Sequence, residues 1–253
     1  MASAFLAIEG SQRQARVALR ASPGGPCIER AVPPSTDAAD HLMSAIDALC
    51  REAGVLPSGI AALGVSVGPG GFTGLRVSCA TAKAIGEVTG CALVAVPSAL
   101  VVARECVRAG ALLDGSCTVA LASKAADAWC TPVSIREGMP VAGPASLLAG
   151  DGPVMRGLLV ADSHGPAGLA ARFPDGAVAA RWSATACLEV AEALRAAGNL
   201  TDPLALAPIY PRPPEAVTLW DARSATNSAT ERLSISCSSV SGSVMATPTR
   251  AWR

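Results

Sequence analysis

The chain has 253 residues, 51% of them hydrophobic, which is enough for one large core or two of modest size. Twenty basic and twenty acidic residues cancel, which excludes the overall cationic field that draws a protein onto nucleic acid or anionic lipid unaided. The nine cysteines, at positions 27, 50, 79, 91, 106, 117, 130, 187 and 237, are odd in number and include no C-x-x-C pair, so they read as reduced core thiols. The opening MASAFLAIEG lacks the basic start and long apolar run of a signal peptide, and no apolar span of 18 residues occurs elsewhere. A cytoplasmic protein without membrane contact is expected.

Phe5 to Ile8 and Ala15 to Leu19 predict two strands joined by the polar turn Glu9 to Arg13, and Cys27 to Val32 a third. From Asp37 to Ala53, Leu42, Ala45, Ile46 and Leu49 fall at the i, i+3, i+4, i+7 spacing of an amphipathic helix closed by Gly54. Ile60 to Val67 reads as a buried strand, Thr73 to Thr89 as a helix and Ala92 to Val96 as a strand. Ser98 is placed to cap a helix reaching about Arg108. In the second half, Thr118 to Ala122, Ala128 to Ile135 and Leu158 to Ala161 predict strands, and Ala184 to Ala197 a helix stopped by Gly198. Glu137 to Arg156, rich in Gly and Pro, allows only short elements. No repeat at a solenoid period is present, and Ser224 to Arg253, dominated by Ser, Thr and Ala, predicts a disordered tail.

Between the strand ending near Val67 and the following helix stand Gly68, Gly70, Gly71 and Gly74. Such a loop before a helix N-terminus suits an anion, because free N–H groups and the positive dipole end point out of it. It equally suits a tight turn whose glycines permit close packing, and no Lys-Ser/Thr pair follows to make a Walker loop. Other chemistry is sparse. His41 and His164 have no second His or paired Cys nearby, so metalloprotease spacing is absent. Asp162, Ser163 and His164 are an ordinary turn sequence without a nucleophile elbow, and Cys79 lies mid-helix, where no dipole would activate it. Trp129, Trp182, Trp220 and Trp252 are scattered among one Tyr and three Phe, and no aromatic platform for stacking bases is expected.

The run GPGGFTGLR, comprising Gly68, Pro69, Gly70, Gly71, Phe72, Thr73, Gly74, Leu75 and Arg76, resembles the G-P-G-S-F-T-G-[LV]-R signature of the TsaB (YeaZ) family, with Gly for Ser at one position. Phe5 to Glu9 resembles that family's first strand, and Ala45 to Leu49 its first helix. VAVPSAL from Val94 to Leu100 resembles the strand and turn after its second helix. Pro208 to Arg212, followed by Glu215 to Val217, resembles its P-x-Y-x-R closing motif. The resemblance runs over about residues 3 to 217.

It implies an α/β protein of the ASKHA fold, the actin, Hsp70 and sugar-kinase architecture of two related α/β lobes with mixed sheets. The lobes would be 1–108 and 109–223, ahead of the 224–253 tail. It implies a subunit with no catalytic site, cofactor or metal of its own. Such a subunit forms a heterodimer with a TsaD-like paralogue and works with a TsaE-like ATPase in threonylcarbamoyl transfer to adenosine 37 of ANN-decoding tRNA, which it meets only through the complex. A homodimer is a further arrangement, and an active ASKHA phosphotransferase is the alternative reading. The partner surface is expected on two helices, at Leu42 and Ile46 and at Thr73, Arg76, Val77, Ala80 and Ala84, with Arg76 bonding loop carbonyls around Gly68 to Gly71 or a partner carboxylate. The second of these helices carries Cys79, Ala80, Ala82, Ala84 and Ile85 around most of its circumference, the composition of a helix covered on two sides. Departures from the family pattern are Glu9 and Gly10 for Asp-Thr, Ala38 and Ala39 for His-Ser, and Ala122 to Trp129 in the second half.

Overall fold

The computed structural model describes residues 3–33, 38–123, 127–212 and 220, with backbone alone for 38–40. The chain divides into Met1–Pro211 and Arg212–Arg253, and of the latter only Arg212 and Trp220 are described. The expected tail therefore lies outside the described residues.

Two mixed sheets organise the first unit. Strands β1 (Ala4–Glu9), β2 (Arg16–Arg20) and β3 (Cys27–Ala31) form an antiparallel meander. β4 (Ile60–Gly68) then joins β1 in parallel, and β5 (Ala92–Pro97) joins β4, giving the order β3-β2-β1-β4-β5. The second half supplies β6 (Gly115–Ala122), β7 (Asp127–Arg136), β8 (Met139–Ala142), β9 (Ser146–Ala149), β10 (Leu158–Ala161) and β11 (Ala177–Ala179). Read from β8, their order is β8-β7-β6-β10-β11, with β9 also paired to β7. Antiparallel and parallel pairings follow in the same sequence as in the first sheet, so the two halves repeat one topology.

Helices α1 (Ala38–Glu52) and α2 (Phe72–Thr89) cover one face of the first sheet, and α3 (Ser98–Arg108) and α4 (Ala184–Ala196) lie between the two sheets. β1 shows why: Leu6 and Ile8 pack with Leu42, Ile46 and Leu49 of α1, while Phe5 and Ala7 on the opposite face pack with Leu188 and Ala191 of α4. A strand with period 2 covered on both faces is apolar throughout, and every residue of β1 is buried. α4 crosses over to lie on β1, β2, β4 and β5, whereas α3 reaches β6, β7 and β8. One core cluster therefore holds Val94 and Val96 of the first sheet together with Val119, Val133 and Val160 of the second. The crossing helix sits close. A Cβ added to Gly64 on β4 would stand 2.4 Å from the Ala191 Cβ. Glu29 of β3 accepts from Thr185 N at 2.9 Å, placing a carboxylate at the first turn of α4, where the helix dipole favours it.

Ser98 is not a cap. It is the first residue of α3, fully buried, and its hydroxyl lies 2.8 Å from that of Ser66, while Pro97 stands at the cap position without a side-chain bond. Where α2 connects β4 to β5, only a 3-10 turn, Leu169–Arg172, lies between β10 and β11. Arg172 is buried there and donates to the carbonyls of Ala149, Asp151 and Pro153, which holds the intervening loop against the second sheet.

Candidate interaction surface around the glycine loop

The glycine loop leaves β4 through Gly68, at φ +97°, and a cis Gly68–Pro69 bond, and enters α2 with Gly71 as its cap. The β1–β2 hairpin fills the loop's concave side. Gly71 N–H donates to Ser11 O at 2.6 Å. A Cβ on Gly70 would meet Ser11 O at 2.4 Å, and one on Gly74 would meet Gly10 O at 2.4 Å. These glycines are thus required by backbone-to-backbone approach, and the N–H of Gly71 is satisfied inside the chain. Glu9, at the end of β1, turns inward. Its Oε1 accepts from Ser11 N at 2.8 Å and from the Ser11 hydroxyl, while its Oε2 accepts nothing among the described residues. Burial outweighs those hydrogen bonds and raises the carboxyl above its usual range. Nearby Cys187, its thiol turned to Ile8 O, is pushed well above the ordinary thiol value by burial. Glu9 is thus held by Ser11 at the base of a loop whose glycines pack directly on their own hairpin.

Beyond the loop, α2 buries Leu75, Ser78, Cys79, Ala82, Ile85 and Gly86 against β4 and β5. Its other face is exposed at Thr73, Arg76, Ala80, Ala84, Glu87 and Val88, with Val77 and Lys83 half-buried. Among the described residues the helix packs on the sheet and meets α1 and Tyr210, and its outer side carries the small residues Ala80 and Ala84 at helical spacing. Leu42 and Ile46, expected on the partner surface, are instead core residues at 2% and 5% exposure. Their positions on α1 follow the apolar stripe, which the sheet claims first. Outward positions of α1 are Met43, Ser44, Asp47, Ala48, Arg51 and Glu52.

Arg76 does not reach the loop carbonyls. Its Nε donates to the Tyr210 hydroxyl at 2.9 Å and its guanidinium carbon stands 3.8 Å over the Phe72 ring. The Phe72 and Tyr210 rings are 5.6 Å apart, so a small exposed aromatic cluster forms from residues 138 positions apart in the chain (72 and 210). The closing segment is brought there by Ile209 N donating to Val67 O at 2.7 Å. Sequence reasoning did not foresee this pairing, in which the chain's only Tyr takes part.

The remaining candidates stay apart. His164 is exposed, with Nδ1 3.2 Å from both Asp162 Oδ1 and the Ser163 hydroxyl, so one nitrogen faces both partners and no proton relay is formed. His41 is half-buried on α1. Among the described residues no group of three His, Cys, Asp or Glu is placed to hold a metal ion, and no helix is long and apolar enough to cross a membrane.

Residues 32–126 match the family model of TsaD, described as tRNA N6-adenosine threonylcarbamoyltransferase. No curated protein matches the chain. Among solved structures, a Pseudomonas aeruginosa protein described as uncharacterized with similarity to peptidase YEAZ superposes with a TM-score of 0.72 at 20% identity, covering 83% of this chain and 100% of its own. YeaZ from Pseudomonas aeruginosa superposes at 0.71 and 20% identity, covering 82% and 99%. The described fold is therefore that of YeaZ.

Proposed function

We infer that the chain is a TsaB/YeaZ-type paralogue of TsaD, a non-catalytic subunit that binds a TsaD-like partner and supports threonylcarbamoyl transfer to adenosine 37 of ANN-decoding tRNA. The observation that carries this reading is the glycine loop, which lies within the segment matched by the TsaD family model, donates its Gly71 N–H to Ser11 and packs directly on its own β1–β2 hairpin. What the loop does is to orient α2, whose exposed stripe of Thr73, Arg76, Val77, Ala80 and Ala84 is the proposed partner face. Small residues let a second helix approach closely, and Leu42 and Ile46 hold the neighbouring α1 to the sheet.

The repeated strand order supports assignment to the ASKHA architecture with lobes 1–108 and 109–223, joined by the exchange of α3 and α4 between sheets. Contact with a TsaE-like ATPase, a homodimeric form and a cytoplasmic site are part of the same proposal, the last supported by eight described cysteines that are all free thiols. Mixing the chain with the TsaD-like paralogue of the same organism should give a heterodimer on size exclusion, while calorimetry of the chain alone with Mg²⁺ and ATP should give no heat of binding. Millimolar-or-tighter nucleotide binding by the isolated chain would favour an ASKHA phosphotransferase instead.

A further inference from the structure

The exposed face of α2 holds a guanidinium that is positioned at one nitrogen and, among the described residues, meets no carboxylate. Arg76 is fixed on one face by the Phe72 ring at 3.8 Å and at Nε by the Tyr210 hydroxyl at 2.9 Å, with the Tyr210 ring centroid at 5.8 Å. Among the described residues its two Nη groups enter no hydrogen bond or ion pair, and the first turn of α2 contains no acidic residue. Phe72 and Tyr210 remain 55% and 41% exposed. The fork is therefore aimed outward and largely immobilised, so that closing a bond to it costs little further side-chain entropy.

This rests on the reading of α2 as the partner face. We propose that Arg76, clamped by Phe72 and Tyr210, anchors that interface by receiving a carboxylate from an acidic residue on a partner helix laid along Ala80 and Ala84. Charge and shape both favour this occupant over a nucleic-acid strand. Arg76 and half-buried Lys83 are the only cations on α2, and Ala80, Ala84 and Val88 offer no side-chain donors to a row of phosphates. A single preorganised guanidinium beside an apolar stripe matches one carboxylate on an otherwise apolar helix. Tyr210 is a positioning residue here, acting through the Arg76 side chain.

The test titrates the TsaD-like paralogue of the same organism against the wild-type chain, Ala84→Arg, Arg76→Lys and Tyr210→Phe at low and high salt. Melting temperatures serve as controls for folding. Arg76→Lys should weaken binding by about tenfold or more and flatten its salt dependence, because an ammonium replaces the planar fork. Tyr210→Phe should cost about threefold by loosening the Arg76 clamp. Ala84→Arg should abolish binding. If Ala84→Arg abolishes binding while Arg76→Lys and Tyr210→Phe match wild type, the carboxylate anchor is overturned and the partner face stands. If Ala84→Arg binds normally, the partner face itself fails. Binding of a single-stranded RNA oligonucleotide that disappears in Phe72→Leu would reassign the cluster to nucleic acid and overturn the proposal.

Discussion

Gly70→Ala tests whether the glycine loop is a packing device. The added methyl would stand 2.4 Å from Ser11 O, 2.6 Å from its Cβ and 2.9 Å from its Cα. Reaching ordinary contact near 3.4 Å requires the hairpin to withdraw by about 1 Å, since two of the three obstructing atoms belong to the backbone. That movement stretches the 2.6 Å bond from Gly71 N to Ser11 O and disturbs the pairing of Ser11 with Glu9. Overpacking of this kind costs about 1–3 kcal/mol and a strained hydrogen bond about 1 more, so a loss of roughly 2–4 kcal/mol is expected. In a chain of this size that is a fall of very roughly 5–15 °C in melting temperature. Gly71→Ala is the matched control: its φ is −60° and its nearest contact, Ser11 O, is 3.5 Å away, so a change below about 1 kcal/mol is expected. Urea unfolding followed by circular dichroism measures both. Equal stability of the two variants, within about 0.5 kcal/mol, would refute the claim that the hairpin fills the loop.

Glu9 should make stability fall as pH rises: its folded pKa lies above the ordinary carboxyl value of 4.5, so its contribution is fully present below that pH and is lost as pH climbs through the folded pKa. Glu9→Gln, which keeps the shape and cannot ionise, should flatten this part of the profile in urea titrations run upward from about pH 4, and an unchanged slope would show the carboxyl to be ionised without penalty. Leu42→Ala, at 2% exposure on the buried face of α1, should cost about 2–5 kcal/mol by cavity formation, whereas Ala84→Arg on the outer face of α2 should leave the urea midpoint nearly unchanged. Arg172→Met should remove the donors to Ala149, Asp151 and Pro153 and speed amide exchange across 149–155, read by mass spectrometry; unchanged exchange would mean the loop is held by other contacts.

Periodicity and turn chemistry are local, and what they govern was legible from residues alone. α1 ends within about a residue of its predicted limits, because Leu42, Ala45, Ile46 and Leu49 must face one side of a helix whatever lies there. β1, β4, α2 and α4 were readable for the same reason, as was Gly198, which takes the positive φ (+81°) that ends α4. Local pattern says that Leu42 is buried somewhere, but not that the sheet rather than a partner buries it. It also does not reveal that the second sheet repeats the strand order of the first, since pairing order is set by which edges remain open as the core closes. Short strands such as β8 and β9 have four residues each, too few for alternation to stand out from loop sequence. The cluster of Phe72, Arg76 and Tyr210 required the closing segment to return to the end of β4. Such a contact depends on the path of the whole chain, so only the tertiary structure could decide where the chain's only tyrosine meets its glycine loop.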